Sequence, residues 1–360
     1  MQGRLLNPRL LALKPNAWSL FAQPAQAGWR RQAHAGIAYD SRRGRLLIFG
    51  SNTHGLDWDN EVHEFDPATG RWETHYPRAP QESYRADAAG HAIAGTGRLL
   101  PWAMHTYDNI VYDPSLDAIL VSALPEHNPV RKRVPAAKIH PTWLYDLRTR
   151  QWRIFANDGK PYPKFFAAAS AYDPDRDVIA AYYQGIWEIG PERDQWKKAT
   201  GESHHNMHHT MDYDFKHKKF VVFGDYHPSN AVWVYAPGAR AGGKGRWEKK
   251  TPQGASCPPG THFPVAYDRD HEVFLLVVDN VPYAEDETGR RKRTGHAQSS
   301  STFVYDLGRN RCVRLPDADL EPLGMNYMMA YDPFHKVFLL VTGNHVKPAA
   351  VWALRLDWPE

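Results

Sequence analysis

The sequence predicts an all-β fold, arranged as a β-propeller of four-stranded antiparallel blades. A short phrase recurs along its 360 residues: a Tyr-Asp pair after a small or apolar residue, several turn residues, and then an apolar run. The apolar runs have the length of strands, for example 220–223 and 274–278, and no segment keeps the 3.6-residue period of a helix. Repeated four-stranded sheets are typical of propellers, whose radial arrangement leaves only short, protected edges.

Each repeat supplies its four strands in the same order. The Tyr-Asp strand comes first, and its aspartate begins a turn because Asp side chains cap nearby backbone N–H groups. The apolar run is the second strand, and a segment such as 144–152 supplies the third and a Trp-containing fourth. Six repeats are countable, and their tyrosines are Tyr39, Tyr112, Tyr172, Tyr213, Tyr267 and Tyr331. The long interval between the first two leaves room for a seventh, degenerate blade.

The repeats make the chain one domain, although 360 residues exceed the roughly 250–300 at which a single core stops growing. We predict a single propeller over residues 1–360. Residues 16–20 read as the outermost strand of a blade, and residues 328–356 supply only three strands. Joined together, these two pieces complete one blade and close the ring.

Composition excludes several classes of protein. The 44 basic and 40 acidic residues leave a net charge of +4, too balanced to indicate nucleic acid, and no zinc-finger or P-loop pattern occurs. No apolar run approaches the roughly 18 residues of a membrane span. The apolar stretch 10–13 is too short for a secretory signal, so the chain is either cytoplasmic or already mature. We therefore expect a monomer with no nucleic-acid or membrane partner.

Histidines fall in one register of the repeat. The residues five positions before each Tyr-Asp tyrosine are His34, Tyr107, Ala167, His208, His262 and Asn326. The residues just before each Tyr-Asp pair are predicted to form the inner strand, so we expect these positions to converge near one mouth of the channel. His105 shares the side-chain direction of Tyr107 because two residues separate them. Any single one of these histidines can equally be a structural residue.

The run 203–209 contains four histidines, which indicates a metal, an acid–base role or an acidic ligand.

The loops that follow the second strands should open on the same face. They carry His54, His127 and Asn344, and two loops, 131–138 and 290–293, are basic. Such charge runs are usually solvated, but beside a mouth rich in His and Tyr they indicate an anionic ligand. The candidate substrate-binding residues are His54, Arg131, Arg133, His208 and Asn344.

Two cysteines, Cys257 and Cys312, exclude a disulfide-stapled scaffold. Cys257 and His262 are close in sequence, and with His208 from the neighbouring inner strand they can form a zinc site. The alternative is that Cys257 is a buried free cysteine.

Histidine, tyrosine and arginine together suit β-elimination of a uronic-acid polysaccharide. A base removes the proton α to the carboxylate after a cation or amide has neutralised the carboxylate charge. Hydrolysis would more usually need two carboxylates. No acidic pair recurs in the channel register, although Asp57 and Asp59 share one loop.

The chain resembles kelch-type propellers in Asn16-Ala17-Trp18, in residues 34–40 and in the run 46–50.

Residues 101–107, 125–127 and 140–143 resemble the propeller polysaccharide lyases of the ulvan-lyase kind. That resemblance implies seven blades, two catalytic histidines, a catalytic tyrosine, a carboxylate-neutralising arginine, a structural zinc and a secreted or periplasmic location. By position, His105 and His127 match the histidine pair, Tyr182 or Tyr183 matches the tyrosine, and His208, Cys257 and His262 match the zinc ligands. The chain departs from the pattern in having six countable repeats and no arginine before His208.

The sequence thus predicts a polysaccharide lyase that acts on an anionic, uronate-containing glycan, with His105, His127, Tyr182 and Tyr183 as catalytic candidates and zinc as a possible structural metal. One alternative is a non-catalytic kelch-type module that binds a glycan or a protein. Another is a copper oxidase like the kelch-bearing galactose oxidases. That chemistry needs a cysteine cross-linked to a tyrosine, and neither cysteine has a tyrosine-rich context.

Overall fold

The computed structural model describes residues 5–23, 29–55, 57–125, 127–155, 163–192, 195–227, 229–254, 257–287 and 290–359. The regular secondary structure of the described residues is almost entirely β, with two four-residue helices, two 3-10 turns and eight sheets. Six of these sheets carry the Tyr-Asp repeats and are numbered I to VI in chain order. This arrangement is consistent with a β-propeller, as the sequence predicts.

The first third of the chain contains sheet I and a small accessory sheet. Helix α1 spans Pro8–Leu11 and strand β1 spans Ser19–Ala22. Sheet I contains β2 (Gly36–Asp40), β3 (Arg45–Phe49), β4 (His63–Asp66) and β5 (Arg71–Thr74), with a 3-10 turn at Thr53–Gly55. After a second 3-10 turn at Gln81–Ser83, the three-stranded accessory sheet contains β6 (Arg85–Ala86), β7 (Ala92–Ala94) and β8 (Leu100–Pro101).

Three regular sheets follow. Sheet II contains β9 (Ile110–Asp113), β10 (Ala118–Val121), β11 (Thr142–Asp146) and β12 (Gln151–Phe155), with helix α2 at Val130–Arg133. Sheet III contains β13 (Ala169–Asp173), β14 (Val178–Tyr182), β15 (Ile186–Ile189) and β16 (Lys197–Thr200). Sheet IV contains β17 (Thr210–Asp214), β18 (Lys219–Phe223), β19 (Val232–Ala236) and β20 (Arg246–Lys250).

The last two sheets are modified. Sheet V consists of β21 (Gln253–Gly254), β22 (Val265–Asp268), β23 (Val273–Asp279), β26 (Ser300–Asp306) and β27 (Arg311–Leu320), and a hairpin of β24 (Tyr283–Glu285) and β25 (Arg291–Arg293) extends from it. Sheet VI contains β28 (Met329–Asp332), β29 (Val337–Thr342) and β30 (Ala350–Leu354). Strand β1 pairs antiparallel with β30 and supplies the fourth strand of sheet VI, as predicted.

The first strands of the six sheets form the inner layer. Each of β2, β9, β13, β17 and β22 contacts the first strand of the next sheet, and β28 contacts β2. Because β2 contacts β9 directly, the accessory sheet does not insert a seventh inner strand between them. The long interval in the repeats therefore holds a three-stranded appendage against β12 and not a further blade among the described residues.

Apolar side chains pack between adjacent sheets. Between sheets IV and V, the ring centroid of Phe223 lies 5.3 Å from that of Phe274 and 5.6 Å from that of Tyr305. Strands such as β18 and β23 are buried on both faces, which explains their continuous apolar runs. None of the helices in the described residues is long and apolar enough to cross a membrane.

Candidate functional site

The register positions identified in the sequence meet at one end of the inner strands. The backbone N–H of Tyr107 donates to the carbonyl oxygen of His34 at 2.9 Å, that of His262 donates to His208 at 3.3 Å, and that of Asn326 donates to His262 at 2.9 Å. Four of the positions have positive φ angles: Tyr107 (52°), Ala167 (48°), His208 (61°) and His262 (61°). Residues other than glycine adopt this left-handed conformation at a cost, and it is concentrated at functional sites.

Four imidazoles form a compact group, which we call the histidine cluster: His34, His54, His105 and His127. The rings of His34 and His105 are stacked, with centroids 3.9 Å apart and planes 11° apart. The ring of His54 lies 4.7 Å from that of His105 and 4.1 Å from that of His127. The predicted pair, His105 and His127, are 5.1 Å apart. The structure therefore brings together the two predicted catalytic histidines, the predicted substrate-binding residue His54 and the register residue His34.

His105 is fixed by hydrogen bonds on both sides of its ring. Its Nε2 atom lies 2.9 Å from the hydroxyl of Thr53, and its Nδ1 atom lies 3.0 Å from the hydroxyl of Tyr107. Both His105 and Tyr107 are buried. One imidazole and one phenol thus share a hydrogen bond inside the channel mouth.

A second pair of histidines lies on the other side of Tyr107. The ring of His208 is 5.3 Å from that of Tyr107 and 4.1 Å from that of His262. The hydroxyl of Tyr327 lies 3.3 Å from Nδ1 of His208. Tyr107 therefore connects the histidine cluster to this second pair.

Burial keeps the imidazoles of His34, His105, His208 and His262 uncharged. Desolvation, with smaller contributions from neighbouring histidines, lowers the pKa of His34 to about 3 and the pKa of His208 to about 4. The same causes hold the pKa of His105 and the pKa of His262 far below the ordinary value of 6.5. Neutral imidazole is the form that accepts a proton or binds a metal.

A basic cleft adjoins this mouth. Its wall includes His262, Asn344 and the β24–β25 hairpin, whose four consecutive basic residues are Arg290, Arg291, Lys292 and Arg293. Partial neutralisation comes from within the hairpin: Arg291 pairs with Glu285 at 3.2 Å and Lys292 pairs with Asp286 at 3.2 Å. The predicted substrate-binding residue Asn344 therefore lines a cationic cleft next to the histidines.

The other predicted basic loop, residues 131–138, begins within helix α2, and hydrogen bonds and ring contacts hold this part of the chain in place. Asn128 fixes this loop, because its side chain donates to the carbonyl oxygen of Ala103 at 2.8 Å and accepts from the N–H of Val130 at 3.0 Å. The Arg133 guanidinium lies 5.5 Å from the ring of Trp58. Arg131 is close to buried His140, whose pKa falls to about 4 through desolvation and, secondarily, this positive charge. Asn128 thus positions the neighbouring His127.

The structure places the predicted tyrosines elsewhere. Tyr182 is fully buried, and its hydroxyl accepts from the backbone N–H groups of His204 and His205 at 2.8 and 3.2 Å. Tyr183 packs beside the core between sheets II and III, and Gln184 donates to its hydroxyl at 3.3 Å. Tyr107, and not Tyr182, contacts His105. The count of five residues back from each Tyr-Asp tyrosine included Tyr107. The family resemblance, however, assigned the catalytic role to Tyr182 or Tyr183.

Most of the histidine-rich run 203–209 is structural. The ring of His204 stacks on Trp233 at 3.6 Å, and Nε2 of His209 lies 3.0 Å from the carbonyl oxygen of Tyr182. His205 is 3.0 Å from the hydroxyl of Tyr182. These three imidazoles support the packing of sheet III against sheet IV, and His208 is the member of the run that faces Tyr107.

The predicted zinc set is not assembled. His208 and His262 are in contact, but the Cys257 thiol lies in the apolar core between sheets IV and V, hydrogen-bonded to Cys312. Burial raises the pKa of Cys257, which disfavours the thiolate that binds metal. Cys257 is therefore a buried free cysteine, which is the alternative to a zinc ligand that the sequence left open.

Three other groups in the described residues place ligand atoms within 4.8 Å of one another: His34 with His54 and His105, Asp59 with Glu61 and His63, and Glu64 with Glu73 and His75. The two clusters that contain carboxylates each hold an ion pair, Asp59 with His63 at 3.0 Å and Glu64 with His75 at 3.1 Å.

No protein-family model matches the chain, and no curated protein matches it in sequence. A structural-genomics protein of unknown function from Bacteroides thetaiotaomicron is similar in structure, with 10% sequence identity and a TM-score of 0.48 over 94% of this chain and 75% of that one.

Proposed function

We propose that the protein is a lyase that cleaves an anionic, uronate-containing polysaccharide by β-elimination. The observation that carries this proposal is the hydrogen bond between His105 and Tyr107, 3.0 Å long, next to His127 and to a cleft lined by four basic residues. Proton-transfer groups beside a cationic cleft are what elimination from an acidic sugar requires. The resemblance of residues 101–107, 125–127 and 140–143 to propeller polysaccharide lyases supports the same reaction and a secreted or periplasmic location.

The reaction moves two protons. A base removes the proton on the carbon next to the carboxylate, the electron pair forms a carbon–carbon double bond, and the neighbouring carbon–oxygen bond to the preceding sugar breaks. An acid then protonates the departing oxygen. We assign the base to His127 and the acid to Tyr107. His105 is a positioning residue, because its Nδ1 atom holds the Tyr107 hydroxyl.

The basic hairpin binds the anionic sugars of the polymer that lie outside the cleavage site. Arg290 and Arg293 lie at the two ends of a run of four cations, and a polyanion of repeating uronates or sulfated sugars complements such a run. Contacts of this kind orient the chain and give binding that weakens as salt rises.

Incubation with a panel of glycans that contain glucuronate, iduronate, galacturonate or mannuronate tests the proposal. The double bond formed is conjugated with the carboxylate, so turnover appears as new ultraviolet absorbance together with new reducing ends. Absence of both with folded protein overturns the proposal. Saturable glycan binding without turnover would instead identify the non-catalytic binding module.

A further inference from the structure

Three imidazoles of the histidine cluster come from separate segments of the chain, and one ring nitrogen of each lies close to those of the other two. His34 precedes β2, His54 lies in the 3-10 turn after β3, and His105 follows β8. Each offers one ring nitrogen, and these nitrogens all lie within 4.8 Å of one another. In a tetrahedral site with Zn–N bonds of 2.0–2.1 Å, ligand nitrogens are roughly 3.3 Å apart. Because the rings of His34 and His105 are stacked with their planes 11° apart, one of them would rotate out of the stack for both lone pairs to reach one ion.

His34 lacks a partner that a metal would supply. Its side chain is 8% exposed, and its Nδ1 atom is buried with no hydrogen-bond partner. Native proteins rarely leave a buried polar atom without a partner unless that atom has a role such as ligand binding. The ring that carries this nitrogen is stacked on the ring of His105, with centroids 3.9 Å apart.

We propose that His34, His54 and His105 bind a divalent transition-metal ion of the Zn²⁺ class. All three ligands are imidazoles, which favour zinc, copper, nickel and iron over the oxygen-seeking Mg²⁺ and Ca²⁺. Coordination through Nε2 of His105 would replace its contact with Thr53 and keep the hydrogen bond between Nδ1 and Tyr107. Three protein ligands leave a coordination position free, which is the pattern of a catalytic rather than a structural metal.

The open position suggests a role in elimination, and this part rests on the proposed function. A metal beside His127 would bind the uronate carboxylate and withdraw its charge, which makes the adjacent proton more acidic. It would thereby replace the arginine that the sequence lacks before His208. This site differs from the set of His208, Cys257 and His262 that the sequence predicts.

Metal binding by the full chain tests the site directly. Chelator-treated protein is titrated with Zn²⁺ by calorimetry, and bound metal is counted after desalting. We expect one equivalent of zinc and a higher unfolding temperature with zinc present. His54 is exposed, so His54→Ala should fold normally and weaken zinc binding at least tenfold, the loss that removal of even an outer-shell partner can cause. His34→Ala should do the same.

Two further variants make the result decisive. His345→Ala removes an exposed histidine outside the cluster and should bind zinc like the parent protein. His262→Ala tests the alternative set and should also retain binding. Absence of stoichiometric zinc, or binding that survives both His54→Ala and His34→Ala, would overturn the proposal. Zinc binding without any lyase activity would leave the metal site standing and remove the proposed function. Lyase activity that does not depend on zinc would keep the proposed function and remove the metal's role in the reaction.

Discussion

The hydroxyl of Tyr39 donates a 2.7 Å hydrogen bond to Oδ1 of Asp332, and this bond joins sheet I to sheet VI. Asp332 is buried at the end of β28, where the same oxygen also accepts from the N–H of Phe334 at 3.0 Å. The relationship recurs between other sheets: the hydroxyl of Tyr267 donates to Asp214 at 3.2 Å. The Tyr-Asp phrase therefore contributes a turn cap and a link between neighbouring sheets.

Replacement of this hydroxyl should weaken the fold. We expect Tyr39→Phe to lower the free energy of unfolding by about 1.5–3 kcal/mol, because hydrogen bonds to charged groups contribute that much. Urea denaturation measures the change. Tyr226→Phe is the matched control, since Tyr226 is 52% exposed, and it should change stability by less than about 0.5 kcal/mol. Equal effects of the two substitutions would contradict the linking role.

The N-terminal strand offers a second matched pair. Phe21 is buried in β1, with its ring 6.0 Å from that of Phe65, whereas the adjacent Leu20 is 39% exposed. Phe21→Ala should cost about 3–5 kcal/mol because it leaves a cavity in the core. Leu20→Ala should cost well under half of that. Thermal or urea unfolding of the two variants would contradict the placement of β1 if Leu20→Ala were the more damaging.

Stability should fall in mild acid. Desolvation lowers the pKa of buried His209 and the pKa of buried His140 to about 4, while both titrate near 6.5 when unfolded. The unfolded chain therefore binds more protons between about pH 6.5 and 4. Each such histidine contributes stability that is complete above pH 6.5 and declines by up to about 1.4 kcal/mol per pH unit below it.

Buried carboxyl groups oppose this trend, Asp108 and Asp212 among them, because burial raises their pKa values. The pKa of Asp212 rises to about 6, so its contribution is complete below pH 3.8 and is lost as the pH rises through 6. The histidines whose pKa is lowered by burial outnumber the carboxyl groups whose pKa is raised, so the unfolding temperature should drop between pH 7 and pH 5. His209→Gln should have a smaller drop than the parent protein. An unfolding temperature that is constant or rises over this range would show that these histidines are protonated in the native state.

Tyrosine variants test the catalytic assignment. Tyr107→Phe removes the hydroxyl that contacts His105 and should lower kcat by about 10²–10⁴, the usual contribution of an acid–base group. Tyr183→Phe removes a hydroxyl whose hydrogen-bond donor is Gln184 and should lower kcat far less. Initial rates on the best glycan of the panel measure both. The opposite ranking would favour the tyrosine assigned by sequence resemblance.

Thiol labelling tests the position of the cysteines. Both Cys257 and Cys312 are buried, and burial raises the pKa of Cys257. A thiol-specific chromogenic reagent should therefore label neither cysteine in the native protein and both after denaturation. Rapid labelling of native Cys257 would place it at the surface, where it could again be a metal ligand.

The sequence predicted the fold well because the repeat is local. Tyr39-Asp40 and its equivalents carry turn chemistry that is readable from neighbouring residues. The count of five residues back from each tyrosine placed His34 and His208 at the same end of the inner strands, where the structure has them. The partner of Cys257 was not predictable in this way. Cys312 reaches it because β21 pairs in parallel with β27, a long-range contact that leaves no mark in spacing. Likewise, the burial of Tyr182 depends on the backbone of the following strand connection.

The two ends of each inner strand have different tasks. In β2, the histidine-bearing end before Gly36 and the Asp40 turn are separated by about 17 Å, at roughly 3.3 Å per residue. The loops between second and third strands, including the β24–β25 hairpin, open at the histidine end, far from the Tyr-Asp links. These loops can therefore be exchanged or lengthened without loosening the frame. The hairpin at 283–293 is consequently a suitable position for grafting new recognition sequences onto the scaffold.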